Sequence, residues 1–251
     1  MTTTVRVENL APFSGARAET LAATEYRRFA EQLRALSPDD WSRPTDCPGW
    51  DVRAIAGHSV GMMEDFTSVR SVLRRMRAAT KAARTSGGPV IDAMTASQVA
   101  EHAGLDTDEL VARFDETGPR AARWRTRAPA LFRKVPLKET VGRVQETWRM
   151  SYLLDTVLTR DPWMHRIDIA RATGRTPVLT PEHDRVLVAD VVAEWARRHG
   201  QPFSLVLSGP AGGDYVAGSG TETIRLDAVE FCRTISGRAT GHGLLTQEVP
   251  F

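Results

Sequence analysis

The chain has 251 residues, 41% of them hydrophobic and 25% charged, with a net charge of +2 from 33 basic and 31 acidic side chains. That length allows one large domain or two small ones, either able to bury a core. The near balance of charge gives no general field for nucleic acid or an acidic membrane, and two cysteines, Cys47 and Cys232, argue against a disulfide scaffold or a multi-cysteine zinc site.

Residues 1–15 are polar, broken by Pro12 and Gly15, and read as a loose arm. They lack a basic region followed by an apolar core, so no signal peptide is expected. No run approaches 18 apolar residues, so no spanning helix is expected either, and a cytoplasmic protein is. From 18 to 36 the pattern turns helical, with Leu21, Tyr26, Phe29, Leu33 and Leu36 in one stripe. The stretch 37–50 holds Pro38, Pro44, Pro48 and Gly49, which forbid a helix, and Trp41 and Trp50, which would pin the loop to the core. Asp51 is a good N-cap for a long helix over 52–83 that carries His58 near its start, with Met62, Asp65 and Val69 on the same face.

Gly87, Gly88 and Pro89 stop that helix, and 90–103 and 107–125 read as two more, with Gly104 between them. Residues 128–137 read as a loop. Helix is expected again over 138–160, with Val141, Val144, Trp148, Tyr152 and Leu153 inward. Pro162 either kinks the chain or opens a new helix capped by Asp161 and running to about residue 172. Beyond 178 the composition shifts. A helix over 181–198, a strand at 203–207, a turn at 209–214, short strands at 215–217 and 223–226 about the turn Gly218-Ser219-Gly220, and a helix at 228–235 capped by Asp227 form a small α/β tail. The expected architecture is mainly α, with a helical domain over 1–178 and a small α/β domain over 179–251.

Asp161 and His165 lie four residues apart, so both side chains can meet one metal ion. Carboxylate plus imidazole suits zinc, iron or manganese. His58 would complete a set of two nitrogens and one oxygen, three donors with a position left open. Each residue has a blander reading as well: Asp161 as a cap, and His58 and His165 as packed histidines. Asp168 and Asp65 could orient a ligand ring or simply pair with arginines. Cys47 reads as a small packed thiol, and the basic run 74–77 as a solvated helix face. The turn at 209–213 lacks the lysine and hydroxyl residue of a phosphate loop.

Three stretches carry a family resemblance: 41–58, WSRPTDCPGWDVRAIAGH; 160–174, RDPWMHRIDIARATG; and, more weakly, the C-terminal part ending ISGR at 235–238. With them the chain resembles the mycothiol-dependent maleylpyruvate isomerase family, of the DinB-like group of metal-binding helical bundles. The resemblance implies a four-helix DinB-like bundle followed by a small α/β domain, and a His–acid–His metal site, usually zinc. His58 and His165 match the outer ligands. Asp161 stands where the family usually has glutamate, one methylene longer. The resemblance further implies mycothiol as thiol cofactor, with a thiolate adding to a cis double bond and leaving after rotation, and a C-terminal arginine for an acidic substrate, Arg238 or else Arg233. The expected partners are a small-molecule substrate and a low-molecular-weight thiol, in a monomer or homodimer without nucleic acid or membrane. An isomerase or S-transferase is the first reading. A metal-dependent hydrolase or lyase without thiol, and a non-catalytic binding module on the same bundle, are the alternatives.

Overall fold

In chain order the elements of the computed structural model are strand β1 (Val5–Arg6), helices α1 (Gly15–Arg34), α2 (Val52–Asp65), α3 (Val69–Ser86), α4 (Val90–His102), α5 (Thr107–Arg127) and the short α6 (Ala130–Arg133), and strands β2 (Pro136–Val141) and β3 (Val144–Arg149). A short helix α7 (Met150–Tyr152) runs through a π-turn (Leu153–Val157) into α8 (Leu158–Thr173). Helix α9 (Asp184–His199), strands β4 (Phe203–Ser208), β5 (Gly213–Ala217) and β6 (Thr223–Asp227) and helix α10 (Ala228–Ile235) follow. The structure describes residues 4–219 and 223–251, so the start of the N-terminal arm and Gly220 of the expected turn lie outside it. No helix among the described residues is long and apolar enough to cross a membrane.

The chain divides into two units, one of them Ser14–Val135 with Arg149–Thr176. Here α1 and α2 each pack against both α5 and α8, which closes a four-helix bundle, while α3 and α4 flank α2. Its core is apolar and includes Phe29, Leu33, Ile55, Leu110, Phe114, Leu154, Trp163 and Met164, all essentially inaccessible. The rings of Phe29 and Phe114 meet edge to face at 4.7 Å.

Three expectations change within this unit. The long helix over 52–83 is two helices, because Ser68 caps a new start by accepting from the N–H of Ser71 at 3.0 Å. Val69 therefore does not continue the His58 face. Arg75, expected on a solvated face, is buried at 8% exposure, whereas Arg74, Arg77, Lys81 and Arg84 are exposed. At Pro162 the helix neither restarts nor ends. Proline has no N–H to give the carbonyl of Leu158 four residues back, and the buried Arg125 guanidinium donates to that carbonyl instead, with a second bond to Thr159 Oγ1 at 3.2 Å. The turn that carries Asp161 is thereby held without its backbone bond.

The other unit gathers Met1–Phe13, Pro136–Trp148 and Pro177–Phe251. Its sheet runs β1-β5-β4-β6, with β4 antiparallel to β5 and parallel to β6. The described part of the arm is not loose: Val5 and Arg6 pair in parallel with Tyr215 and Val216. Trp195 anchors the core against Phe203 at 4.8 Å and Phe231 at 5.4 Å, and its indole N–H reaches the Leu244 carbonyl at 3.0 Å. Asp227 caps α10 as expected, accepting from Val229 N–H at 2.8 Å. The expected helix over 138–160 is wrong in its first half. Residues 136–149 form the β2–β3 hairpin, and Val144 is 60% exposed rather than inward.

Candidate metal centre

The loop before α2 delivers the first part of the site. Pro48 and Gly49 form the corner of a turn in which Trp50 N–H donates to the Cys47 carbonyl at 3.0 Å. Gly49 has φ of 79°, which a type II turn demands at its third residue. Pro44 and Asp51 bridge the base of the loop, and Asp51 caps α2 through Ala54 N–H at 2.8 Å. His58 follows two turns into α2. From α8 come Asp161 and His165, one turn apart.

The three expected metal residues converge. Asp161 Oδ1 lies 3.3 Å from His165 Nε2, and Asp161 Oδ2 lies 3.7 Å from His58 Nε2. One ligand atom from each falls within 4.8 Å of the others. Atoms bound to a tetrahedral zinc stand about 3.3 Å apart, so the set is close to the spacing an ion needs. Both imidazoles are buried, at 6% and 5% exposure. Trp50 covers them, its ring 5.0 Å from that of His58 and 6.1 Å from that of His165.

The far side of each ring is engaged. His58 Nδ1 is 2.8 Å from Gln98 Oε1, and His165 Nδ1 is 3.1 Å from Asp168 Oδ2. This outer bonding is the usual partner of metal-ligating histidine, because it orients the ring and leaves Nε2 to the ion. Asp161 Oδ2 is buried and accepts no hydrogen bond from the protein. A carboxylate oxygen in that condition costs free energy unless something positive meets it. The donor set and the orphaned oxygen therefore fit a divalent metal.

The electrostatics agree. Burial alone would depress the His165 pKa, but the Asp161 charge and the bonds to Asp161 and Asp168 outweigh it and hold the imidazolium well above the ordinary 6.5. Burial would likewise push Asp161 up, but the two imidazoles, His165 foremost, keep its carboxyl well below the usual carboxylate range. The cluster attracts a positive charge, a proton or a metal ion.

Several residues had other sequence readings. Asp168, fully buried, meets His165 directly. Cys47 is half-buried with Sγ 3.4 Å from the same Asp168 oxygen and 3.9 Å from His165 Nδ1, behind the ring rather than on its Nε2 side. Asp65 does not touch His58; it accepts from Gln98 Nε2 at 2.8 Å and from Arg75 Nε at 2.8 and 2.7 Å. Burial pushes its pKa up, opposed by Gln98 and Arg75. Gln98 had no sequence signal of its own. A weaker one lay on the facing helix, where Gly57 and Gly61 are spaced by four. A Cβ on Gly61 would stand 2.7 Å from Gln98 Cβ, so α4 sits this close only because Gly61 has none. Arg238 belongs to the other unit, half-buried just past Gly237, with its N–H on the Arg233 carbonyl at 2.9 Å; Arg233 donates to Glu230 at 2.7 Å.

Comparison with known proteins agrees with this architecture. No curated protein matched the sequence. A crystal structure of the mycothiol-dependent maleylpyruvate isomerase aligns at a TM-score of 0.53 and 17% identity, over 95% of this chain and 93% of that one. A crystal structure of a histidine-to-alanine variant of that enzyme aligns at 0.51, with the same identity and coverage. At that identity the likeness is one of fold. Residues 22–170, more than half of the chain and including all three converging side chains, match the family model for the mycothiol maleylpyruvate isomerase N-terminal domain, and the chain belongs to that family.

Proposed function

We propose that this chain is a zinc-dependent enzyme of the maleylpyruvate isomerase type that uses mycothiol on a small electrophilic substrate, as an isomerase or an S-transferase. One observation carries the reading: two imidazole Nε2 atoms and a buried carboxylate oxygen that accepts no hydrogen bond gather at one point. Family membership supports the thiol. The binding-module alternative expects these side chains to point apart, or hydrophobic residues to fill the cavity above them; the convergence of the three side chains runs against the first of these. We place the metal chemistry in residues 1–178, with Arg238 in residues 179–251 as the candidate cation for an acidic substrate.

His58, Asp161 and His165 are the three donors, and a tetrahedral site with three protein donors keeps one position for another ligand. A bound ion would supply a Lewis acid that lowers the pKa of a thiol. Asp168 and Gln98 would orient the two rings so that each Nε2 faces the ion. Trp50 shields both rings from water. In an isomerisation one C–S bond forms and then breaks, so the thiol returns unchanged; in an S-transfer the C–S bond stays.

Metal analysis of the purified protein, followed by mycothiol titration of loaded and chelator-stripped samples, tests this reading. We expect one ion per chain and thiol binding only when the ion is present. Failure to take up zinc, iron or manganese overturns the metal reading. Turnover that needs metal but no thiol points to the hydrolase or lyase.

The pH dependence has a definite sign. Metal and proton compete for His165, so metal affinity falls as pH drops, and the fall begins above 6.5 because the metal-free imidazolium is held above that value. In the metal-free protein the sign reverses. A raised folded pKa contributes stability that is complete below 6.5 and is lost as pH rises through the folded value. The stabilisation gained on adding zinc should therefore widen between about pH 6 and about pH 8. Thermal unfolding with and without zinc measures it, and a gap that narrows would contradict the assignment of His165.

A further inference from the structure

The two imidazoles are backed differently. His165 Nδ1 faces a carboxylate, Asp168, at 3.1 Å. His58 Nδ1 faces a neutral amide, Gln98, at 2.8 Å. That amide is not free to turn. Its Nε2 is committed to Asp65 Oδ2 at 2.8 Å, and both oxygens of Asp65 lie within 2.8 Å of Arg75 Nε. Arg75 is fixed in turn by Ser97 at 2.8 Å and Glu101 at 2.7 and 2.6 Å. Gln98 and Asp65 are each 1% exposed, so no solvent competes for their bonds.

The orientation has a chemical consequence. A carboxylate occupied by Arg75 only accepts, so Gln98 must turn its N–H to Asp65 and its oxygen to His58. An amide oxygen also only accepts. The proton of neutral His58 must then sit on Nδ1, which leaves the Nε2 lone pair facing Asp161. We infer that Gln98 is a positioning residue that locks His58 in its Nδ1–H tautomer. We infer too that a neutral amide there, where His165 has a carboxylate, makes His58 the weaker of the two donors. The second half rests on the metal reading proposed above; the first does not.

Without Gln98 the nearest remaining acceptor for His58 is Asp161 Oδ2, 3.7 Å from Nε2. The proton would move to Nε2 and block the nitrogen that a metal needs. Nitrogen NMR of the metal-free protein, at a pH where His58 is neutral, reads the tautomer directly. The native protein should show Nδ1–H at His58. Gln98→Met, similar in length but unable to hold the proton there, should show Nε2–H and bind zinc about 10- to 100-fold more weakly. Gln98→Glu keeps an acceptor on Nδ1 whether or not it is protonated, so it should keep Nδ1–H and bind zinc at least as tightly as the native protein.

Nε2–H at His58 in the native protein overturns the inference without any variant, should Gln98→Met fail to fold. So does an unchanged tautomer in a folded Gln98→Met, or an equal loss of affinity in Gln98→Met and Gln98→Glu. If the tautomer shifts as expected while the native protein takes up no metal, the role of Gln98 stands and the metal reading fails.

Discussion

His165→Ala should abolish metal retention and should also destabilise the metal-free bundle. The first effect follows from losing one of three donors. Loss of an outer partner alone costs about 10- to 100-fold in affinity, so loss of the donor itself should exceed about 100-fold. The second effect is electrostatic. His165 stands between Asp161, at 3.3 Å, and the fully buried Asp168, at 3.1 Å. Removing it takes the imidazolium away from two carboxylates at once, and stripping the partner from a buried charge typically costs about 3–5 kcal/mol. Denaturant unfolding of the metal-free variant at a pH near 6, where the native imidazolium is charged, measures that cost. A variant as stable as the native protein would mean that the two acids are neutral or solvated, against the geometry.

Arg75→Met should be strongly destabilising although it lies away from the metal residues. Arg75 pairs with Asp65 and Glu101 from a buried position, and the acidic partners push its own pKa further up. Asp65 is 1% exposed, so without the guanidinium its one remaining side-chain hydrogen bond among the described residues is from the Gln98 amide. An uncompensated buried carboxylate costs about 3–5 kcal/mol. Methionine fills most of the arginine volume, so little of the loss would come from a cavity. Glu101, half in solvent, loses little. A double change, Arg75→Met with Asp65→Leu, should recover much of the stability, since replacing both members of a buried pair is often near neutral. If the double variant were no better than the single one, packing rather than charge would explain the loss. Because Asp65 reaches His58 only through Gln98, the single variant should also weaken metal binding, but less than Gln98→Met does.

Much of this site was legible before the fold was known. The spacing of Asp161 and His165 put two donors on one face of α8, His58 completed the set of two nitrogens and one oxygen, and the resemblance supported the trio. Spacing alone left both histidines open to a bland reading, because nothing local distinguishes a ligand from a packed ring. Gln98 was invisible, since its role depends on which turn of α4 meets α2. That is decided by Gly57 and Gly61, whose missing side chains let α4 approach. Arg75 was hidden inside a basic run: only the 3.6-residue period of α3 turns it inward while Arg74 and Arg77 stay in solvent.

The fold shows the same division. The helices and the α/β tail followed from periodicity and caps, and the four-helix bundle implied by the resemblance holds. The β2–β3 hairpin did not, because Val141, Val144 and Trp148 also fall near helical spacing. The two-residue loop Gly142-Arg143 between runs rich in β-branched residues was the better signal. Strand β1 could not be read locally at all: its two residues gain a ladder only from β5, two hundred residues along the chain.

The most direct test is the X-ray absorption spectrum of the zinc-loaded, thiol-free protein. Two imidazole nitrogens and a carboxylate oxygen at about 2.0–2.2 Å, with no sulfur, is the spectrum that His58, Asp161 and His165 should give. A sulfur scatterer at about 2.3 Å would place the ion on the other side of His165, with Cys47 and Asp168, and would contradict the centre described here.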